Sequence, residues 1–448
     1  MPQDKDAAQS LLEDLIAKAR RAGADAADAI AFEGISLSHA QRLGRIEKLE
    51  RSEGYDLGLR VLIGKRQAIV SANERGGERF GELVERAIAM ARAVPEDPYC
   101  GLAAPDEIAR NWPELDMVDP VEPSPEALIA RAAEAETAAQ AVPGVTNSEG
   151  AEASWGRSRL TLVASNGFAG SFAATGHSIS VSVLAGSGTA MERDDDFTTA
   201  IHGGDLRDPK MVGRRAGERA VHRLGARKVA TCQVPVVYDP RVSASLLRHL
   251  MGAITGPAIA RRTSFLKDKL GQQIFPRGLV VVEDPHRRRG LNSRPFDAEG
   301  IANRRRAIVE DGVLTTWLLD LASARQLGLK TTGHARRGPS SPPSPSPTNL
   351  WLEPGPQTAG ELIGDVTRGF YVTELMGMGV NGVTGDYSRG AAGFWIEAGE
   401  LAYPVSEVTI AGNLKDMFQR IVAANDLEFR TGIDAPTIRV DGMTVAGA

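Results

Sequence analysis

One stretch constrains this chain more than any other: Met376–Asn413, reading MGMGVNGVTGDYSRGAAGFWIEAGELAYPVSEVTIAGN. Its glycines are dense, and its apolar and aromatic residues come in short runs between them. Gly393-Phe394-Trp395-Ile396-Glu397 reads as a strand, because bulky apolar side chains suit a pleated, half-buried surface. Ala398-Gly399-Glu400 reads as a tight turn and Leu401–Thr409 as the return strand, so a hairpin is expected, fed by the Gly-rich loop Met376–Gly390. Glycine supplies positive φ or lets another backbone approach closely. Two readings stay open: a tightly folded β corner, or a loop that shapes a peptide-binding cleft.

The remaining chain is ordinary in composition. With 448 residues, 42% hydrophobic and 24% charged, it can bury a large core and divide into one to three domains. A net charge of −5 argues against a general nucleic-acid binder. The basic runs His286–Arg289, Arg304–Arg306 and Arg336-Arg337 read as solvated loop faces. Cys100 and Cys232 are too few and too far apart for a disulfide framework, and no CxxC suggests a zinc ribbon. The polar start, without a signal-peptide pattern, and the lack of a bilayer-length apolar run point to a cytoplasmic protein with no membrane association.

Helices are expected at Ala7–Ala22, Glu78–Val94, Ser124–Val142, Pro209–Leu224, Arg241–Ala253, Leu321–Leu327 and Gly412–Ala424. Ser124 and Pro125 form a helix start, as N-cap and first helical residue. Strands are expected at Ala26–Leu37, His39–Glu53, Tyr55–Ile63 and Arg66–Ala72. Val145–Ser187 reads as three or four more, with turns at Gly156, Gly167–Gly170 and Gly176. Gln233–Tyr238, Val280–Asp284, Arg306–Val309 and Leu314–Leu319 complete the set, the last two joined at Asp311-Gly312. Asp194–Asp196 reads as a solvated turn, since the remaining ligands of a calcium loop are missing. The prolines of Ala93–Pro123 mark a long surface connection, and Gly338–Pro347 (GPSSPPSPSP) an extended, ordered strap beside the cleft. Strands and helices do not alternate regularly, so the class is α+β: a smaller N-terminal α/β domain over residues 1–142, with its Pro-rich connection, and a larger, mostly antiparallel β-rich domain with helices over 143–448. The boundary falls within Val142–Trp155.

The run TGDYSRGAAGFWIEAGELAYPVSEVTIAGNL, with the ending PTIRVDGMTVAGA, closely resembles the TldD/PmbA family, whose members are labelled modulators of DNA gyrase or metallopeptidases. The resemblance extends to Gly58–Asn73, Leu246–Gln273 and Pro342–Leu350, and it is to the PmbA (TldE) branch. In the catalytic TldD branch the resemblance implies an HExxxH segment and a C-terminal cysteine that hold zinc, with Glu as general base. The matching place here is Leu246–Ile254, LLRHLMGAI, where Arg248, His249 and Ala253 stand in the degenerate metal-site positions. No cysteine lies between Ile421 and Pro436, and no HxH, HxxxH or HxxEH occurs. No GxSxG or Walker sequence offers another mechanism.

The resemblance therefore implies a chain with no catalytic residues, metal ligands or cofactor of its own, zinc being expected only in a TldD-like partner. Its expected role is that of a cytoplasmic scaffold and substrate clamp for unfolded or small peptides, inactive alone. It would form a heterodimer with a TldD-like metallopeptidase subunit, or a homodimer with itself. Gly379, Gly382, Gly385, Asp386, Phe394, Trp395, Ile396 and Asn349 are the candidate cleft residues, and the Phe394–Glu397 edge is a candidate for strand addition. Two alternatives are a stand-alone homodimeric regulator of the gyrase-modulator type and a metallopeptidase with an unrecognised metal site.

Overall fold

The computed structural model describes residues 3–73 and 75–447. The first half is built on one six-stranded antiparallel sheet. Helix α1 (Gln3–Arg21) leads into β1 (Ala26–Arg42), β2 (Arg45–Ile63) and β3 (Arg66–Ala72), followed by α2 (Phe80–Ala93) and α3 (Pro125–Gln140). Then come β4 (Val145–Ala164), β5 (Ala169–Ala185), β6 (Glu192–Ala200) and α4 (Pro209–His222). The strand order is β3-β2-β1-β4-β5-β6.

Side-chain alternation gives this sheet two apolar faces. Ala27, Ala29, Ala31, Leu57, Leu59 and Val61 pack against α1 and α2, while Leu37, Ala153, Trp155, Ile179 and Val181 pack against α3 and α4. Residues of the opposite parity, Ile30, Leu162 and Ala164, lie under Phe168, Trp112 and Phe296, so this second face is covered by the Pro-rich connection together with Phe296 of the C-terminal half.

Several expectations change here. The first hairpin turns at Leu43-Gly44, where both residues have positive φ (52° and 72°), rather than near Ser38. Residues 145–187 form two long strands: Gly156 and Gly176 are not turns but face each other across the β4–β5 ladder. β1 pairs with β4 along Asp28–Gln41, opposite Ala151–Ala164, so one sheet joins the strands before and after α3. Asp194–Asp196 is not a solvated turn but part of β6, with Asp194 and Asp196 buried.

The second half holds β7 (Cys232–Tyr238), α5 (Pro240–Ala253), α6 (Gly256–Ala260), β8 (Val281–Asp284), β9 (Arg306–Glu310), β10 (Val313–Leu314) and α7 (Leu321–Leu327). It continues with β11 (Ala335–Arg336), β12 (Ser344–Pro345), β13 (Asn349–Leu352), α8 (Ala359–Gly364), β14 (Arg368–Met376), β15 (Asp386–Glu397) and β16 (Glu400–Asn413). It ends with α9 (Leu414–Phe418), β17 (Ile421–Ala423), β18 (Ile433–Asp434) and β19 (Ile438–Ala446). The expected helix over 412–424 is thus only α9, and the expected strand over 314–319 is only β10. Asp311 and Gly312 do turn the β9–β10 hairpin, both with positive φ.

Strands β16-β15-β14-β7-β19 close into a small barrel, because β16 also pairs with β19 at Thr409–Ala411. Strand β7 runs parallel to β14 and antiparallel to β19. A second sheet, β10-β9-β8-β13-β18, shares the barrel's core, and Leu246, Leu247 and Leu250 of α5 fill the space between them. The class is α+β.

The two halves meet through buried charge. Arg337, read from the sequence as part of a solvated run, has a side chain only 1% exposed and reaches Asp28 of β1 at 2.6 Å. Arg60 of β2 donates to the same carboxylate through Nε at 2.8 Å. Burial pushes Asp28 up, but Arg337 and Arg60 outweigh it, and its carboxyl stays below the usual range. Near this pair lie Asp297 and Glu299, both buried, the latter accepting from the Leu321 amide at 2.8 Å. The Gly338–Pro347 strap is ordered: β11 and β12 pair with each other, and Pro339 crosses over Gly58 of β2, where a side chain would collide with its carbonyl.

Candidate functional site

Helix α5 begins at Asp239, whose carboxylate accepts from the Arg241 amide, with Pro240 in the first turn. Its last two turns carry the three degenerate positions. Arg248 is exposed and reaches the Thr431 hydroxyl at 3.4 Å. His249 is half-buried, edge-on to the Tyr387 ring at 5.9 Å, and among the described residues its Nε2 meets no hydrogen-bond partner. Burial, and secondarily the Arg389 charge, lower the His249 pKa and favour its neutral form. Ala253 is buried and contributes only its carbonyl, which accepts from Ser264 Oγ at 2.6 Å.

These residues do not fit a zinc ion. Zinc sites need three or four converging N, S or O donors. Here a guanidinium and a methyl group flank one imidazole. Among the described residues no group of three or more His, Cys, Asp and Glu side chains is placed to hold a metal.

Beside α5 lies a cavity of about 350 Å³ between the two halves. The first half supplies Asp195, Asp196 and Phe197 of β6 with Arg219 of α4; the second supplies Arg241, Ser245 and Arg248 of α5, Glu374 of β14, Arg389 of β15, Glu428, Arg430 and Thr431 of the loop before β18, and Asp434 of β18. Asp196 is the electrostatic hub. It pairs with Arg219 at 2.9 Å and Arg430 at 2.8 Å, so it ties β6 to the C-terminal loop. Asp194 does the same for Arg241, at 2.8 Å.

The expected cleft residues separate into two groups. Gly379 and Gly382 lie on an exposed loop, with Met378 92% exposed beside them. Gly385 has φ +88°, as a turn glycine requires, whereas Gly379 is needed for its close approach to the Ser388 carbonyl. Asp386 is exposed and tied to Thr384 Oγ1 at 2.6 Å and Asn413 Nδ2 at 3.0 Å; these bonds, Thr384 first, hold its carboxyl below the usual value.

The other group does not line a cleft. Trp395 and Ile396 are buried, and β15 has β14 on one side and β16 on the other, so its Phe394–Glu397 edge cannot accept an added strand. Phe394 is half-buried in the same ladder. Asn349 is buried on β13 as a structural clamp, donating to the Asp284 carbonyl at 2.8 Å and to Ser293 Oγ at 2.7 Å. The cavity residues Arg389, Glu374 and Arg430 escape the sequence reading; only Arg389, the lone cation of the run TGDYSRGAAGF, leaves a signal there.

Comparison with known proteins matches three consecutive descriptions: PmbA/TldA metallopeptidase domain 1 over residues 27–91, the central domain over 118–224 and the C-terminal domain over 231–447. Metalloprotease PmbA of Escherichia coli is 38% identical over 99% of this chain and 97% of its own. The chain belongs to the PmbA/TldD family. A PmbA homolog of Haemophilus influenzae is 36% identical over 96% of this chain and 94% of its own. Among solved structures, a candidate modulator of DNA gyrase from Bacteroides thetaiotaomicron superposes with a TM-score of 0.90 at 28% identity, covering 98% of each chain. TldE from Thermococcus kodakarensis, at 20% identity and a TM-score of 0.87 over 98% of this chain and all of its own, shares the PmbA/TldD fold.

Proposed function

We propose that this chain is the non-catalytic subunit of a TldD/TldE-type cytoplasmic metallopeptidase, holding unfolded or small peptides for a partner that carries the zinc. The observation that carries this reading is the donor set on α5, where Arg248, a lone neutral His249 and Ala253 cannot assemble a zinc site. The cavity beside it supports the peptide-holding part: it is open, lies between two halves of the molecule and mixes charged groups with the apolar Phe197, Val242 and Leu375. Holding acts through the cavity, with Arg389 of β15 in its wall, and through the 376–384 loop rather than by strand addition to β15, which is paired on both sides.

The test is cleavage of an unfolded peptide by this chain alone, by a TldD-like chain alone and by the two mixed, each with and without chelator. The mixture cleaves, chelator stops it, and this chain alone does not cleave. Chelator-sensitive cleavage by this chain alone would overturn the proposal. The gyrase-modulator name of the Bacteroides relative favours a second reading, a stand-alone homodimeric regulator. Failure of this chain to capture a TldD-like subunit in a pull-down would favour it.

A further inference from the structure

Resting on the peptide-holding reading, we propose that the cavity between β6 and α5 is a carboxylate subsite in which Arg248 and Arg389 grip a carboxylate of the bound peptide. The argument is one of accounting for charge. Five acids line this cavity, and four are already engaged. Asp196 takes Arg219 and Arg430, Glu374 takes Arg223, and Glu428 takes Arg207. Asp434 accepts the backbone amides of Arg430, Thr431 and Gly432 at 3.0, 2.9 and 3.1 Å. The fifth, Asp195, is exposed and, among the described residues, forms no ion pair; burial and then the Asp194 charge raise its carboxyl, against Arg241, Arg193 and Arg219.

On the cationic side, Arg241 is held by Asp194 and Asp239. Arg248 and Arg389 differ. Among the described residues neither forms an ion pair with a carboxylate. Arg248 donates to the Thr431 hydroxyl at 3.4 Å, and Arg389 donates through Nε to the Met376 carbonyl at 3.1 Å. A guanidinium offers five donors in a fork that matches a carboxylate, and a charge-assisted pair is stronger than a neutral hydrogen bond. Two forks left without acids, in a cavity where the other arginines are matched, have the chemistry to receive an acid from outside. The apolar surfaces of Phe197, Val242 and Leu375 accommodate the residue that carries it.

Titration calorimetry on the full purified chain tests this with three otherwise identical neutral peptides: a free C-terminal acid, its C-terminal amide, and the amide with one internal Glu. The free acid binds about tenfold more tightly than the amide, a difference of about 1.4 kcal/mol. Arg389→Gln and Arg248→Gln each reduce that preference, the double variant brings it within about twofold, and Arg389→Lys restores part of it. If the Glu-containing amide matches the free acid, the subsite reads any carboxylate; if it matches the plain amide, the subsite reads the peptide terminus. Equal binding of acid and amide to the wild-type chain overturns the subsite, and this comparison needs no variant to fold. Survival of the full preference in the double variant, with an unchanged melting curve, overturns it as well. Failure of all three peptides to bind overturns the peptide-holding reading itself, whereas equal binding with intact cleavage by the two-chain mixture overturns the subsite alone.

Discussion

Replacing Glu299 with Gln makes the molecule less sensitive to alkaline pH. Glu299 sits in the buried seam between the halves, where burial, and then the Asp297 charge, raise its pKa to about 8. Arg60 pulls the other way without cancelling them, and Asp320 adds to the rise. Between the ordinary glutamate value and about 8 the folded state therefore binds a proton that the unfolded chain has released. Stability falls as pH rises wherever the folded state binds more protons. With one pKa unit worth about 1.4 kcal/mol, the loss between pH 6 and pH 9 is about 2–3 kcal/mol. Glutamine mimics the protonated acid: its carbonyl accepts from the Leu321 amide, as Glu299 does at 2.8 Å, and it carries no charge at any pH. The assay is urea unfolding of wild-type and Glu299→Gln proteins at pH 6, 7.5 and 9. The difference in unfolding free energy should shift in favour of the variant by about 2–3 kcal/mol across that range. Parallel pH profiles for the two proteins would refute the reasoning, because they would mean that Glu299 ionises alike in both states.

Three further outcomes are expected. Gly385→Val combines a φ of +88° with a Cβ placed 2.9 Å from Asn413 Oδ1, so it should cost about 1–3 kcal/mol in thermal or urea unfolding; an unchanged midpoint would reduce the loop to a spacer. Trp395→Ala empties the barrel interior, where Trp395 is 2% exposed, and should cost about 3–5 kcal/mol by the same measurement; a loss below 1 kcal/mol would contradict its place in the core. Elemental analysis of the purified chain after dialysis against zinc should find no stoichiometric metal, and about one tightly held zinc per chain would revive the alternative of an unrecognised metal site.

Local chemistry made much of the fold readable. Ser124 does accept from the Ala127 amide, and Ala398 and Gly399 do form the hairpin turn, each with positive φ. These features depend on a few adjacent residues and leave marks there. What escaped depends on partners far along the chain. The pairing of β1 with β4, the parallel contact of β7 with β14 and the closure of β16 on β19 have no local signature. Gly156 and Gly176 look like turn residues until they are seen opposite each other in a ladder. The same limit applied at the site. That Arg248 and Ala253 offer no metal-binding side chain was legible because it is a matter of residue identity. The burial of Trp395 and Asn349 was not, because an apolar or amide side chain looks the same in a cleft and in a core. Arg389 could be recognised as lining a cavity only once the fold had brought β15 beside α5 and β6.

The barrel closure sets a timetable for synthesis. Tyr238 at the end of β7 and Met443 in β19 touch across 205 positions of sequence, and β7 has no complete set of neighbours until β19 is made. The six-stranded sheet, finished by Ala200, has all its strands much earlier. At roughly 5–20 residues per second, β7 waits about 10–40 s with an open edge made of Val234, Val236 and Val237. Pairings this distant also close slowly, since the entropy of a long loop is lost before its contacts are gained. A nascent chain of this protein is therefore a paired N-terminal sheet, one face still waiting for Phe296 and Arg337, trailing an adhesive β segment. Slower translation after Tyr238 prolongs the interval in which two such nascent chains can aggregate.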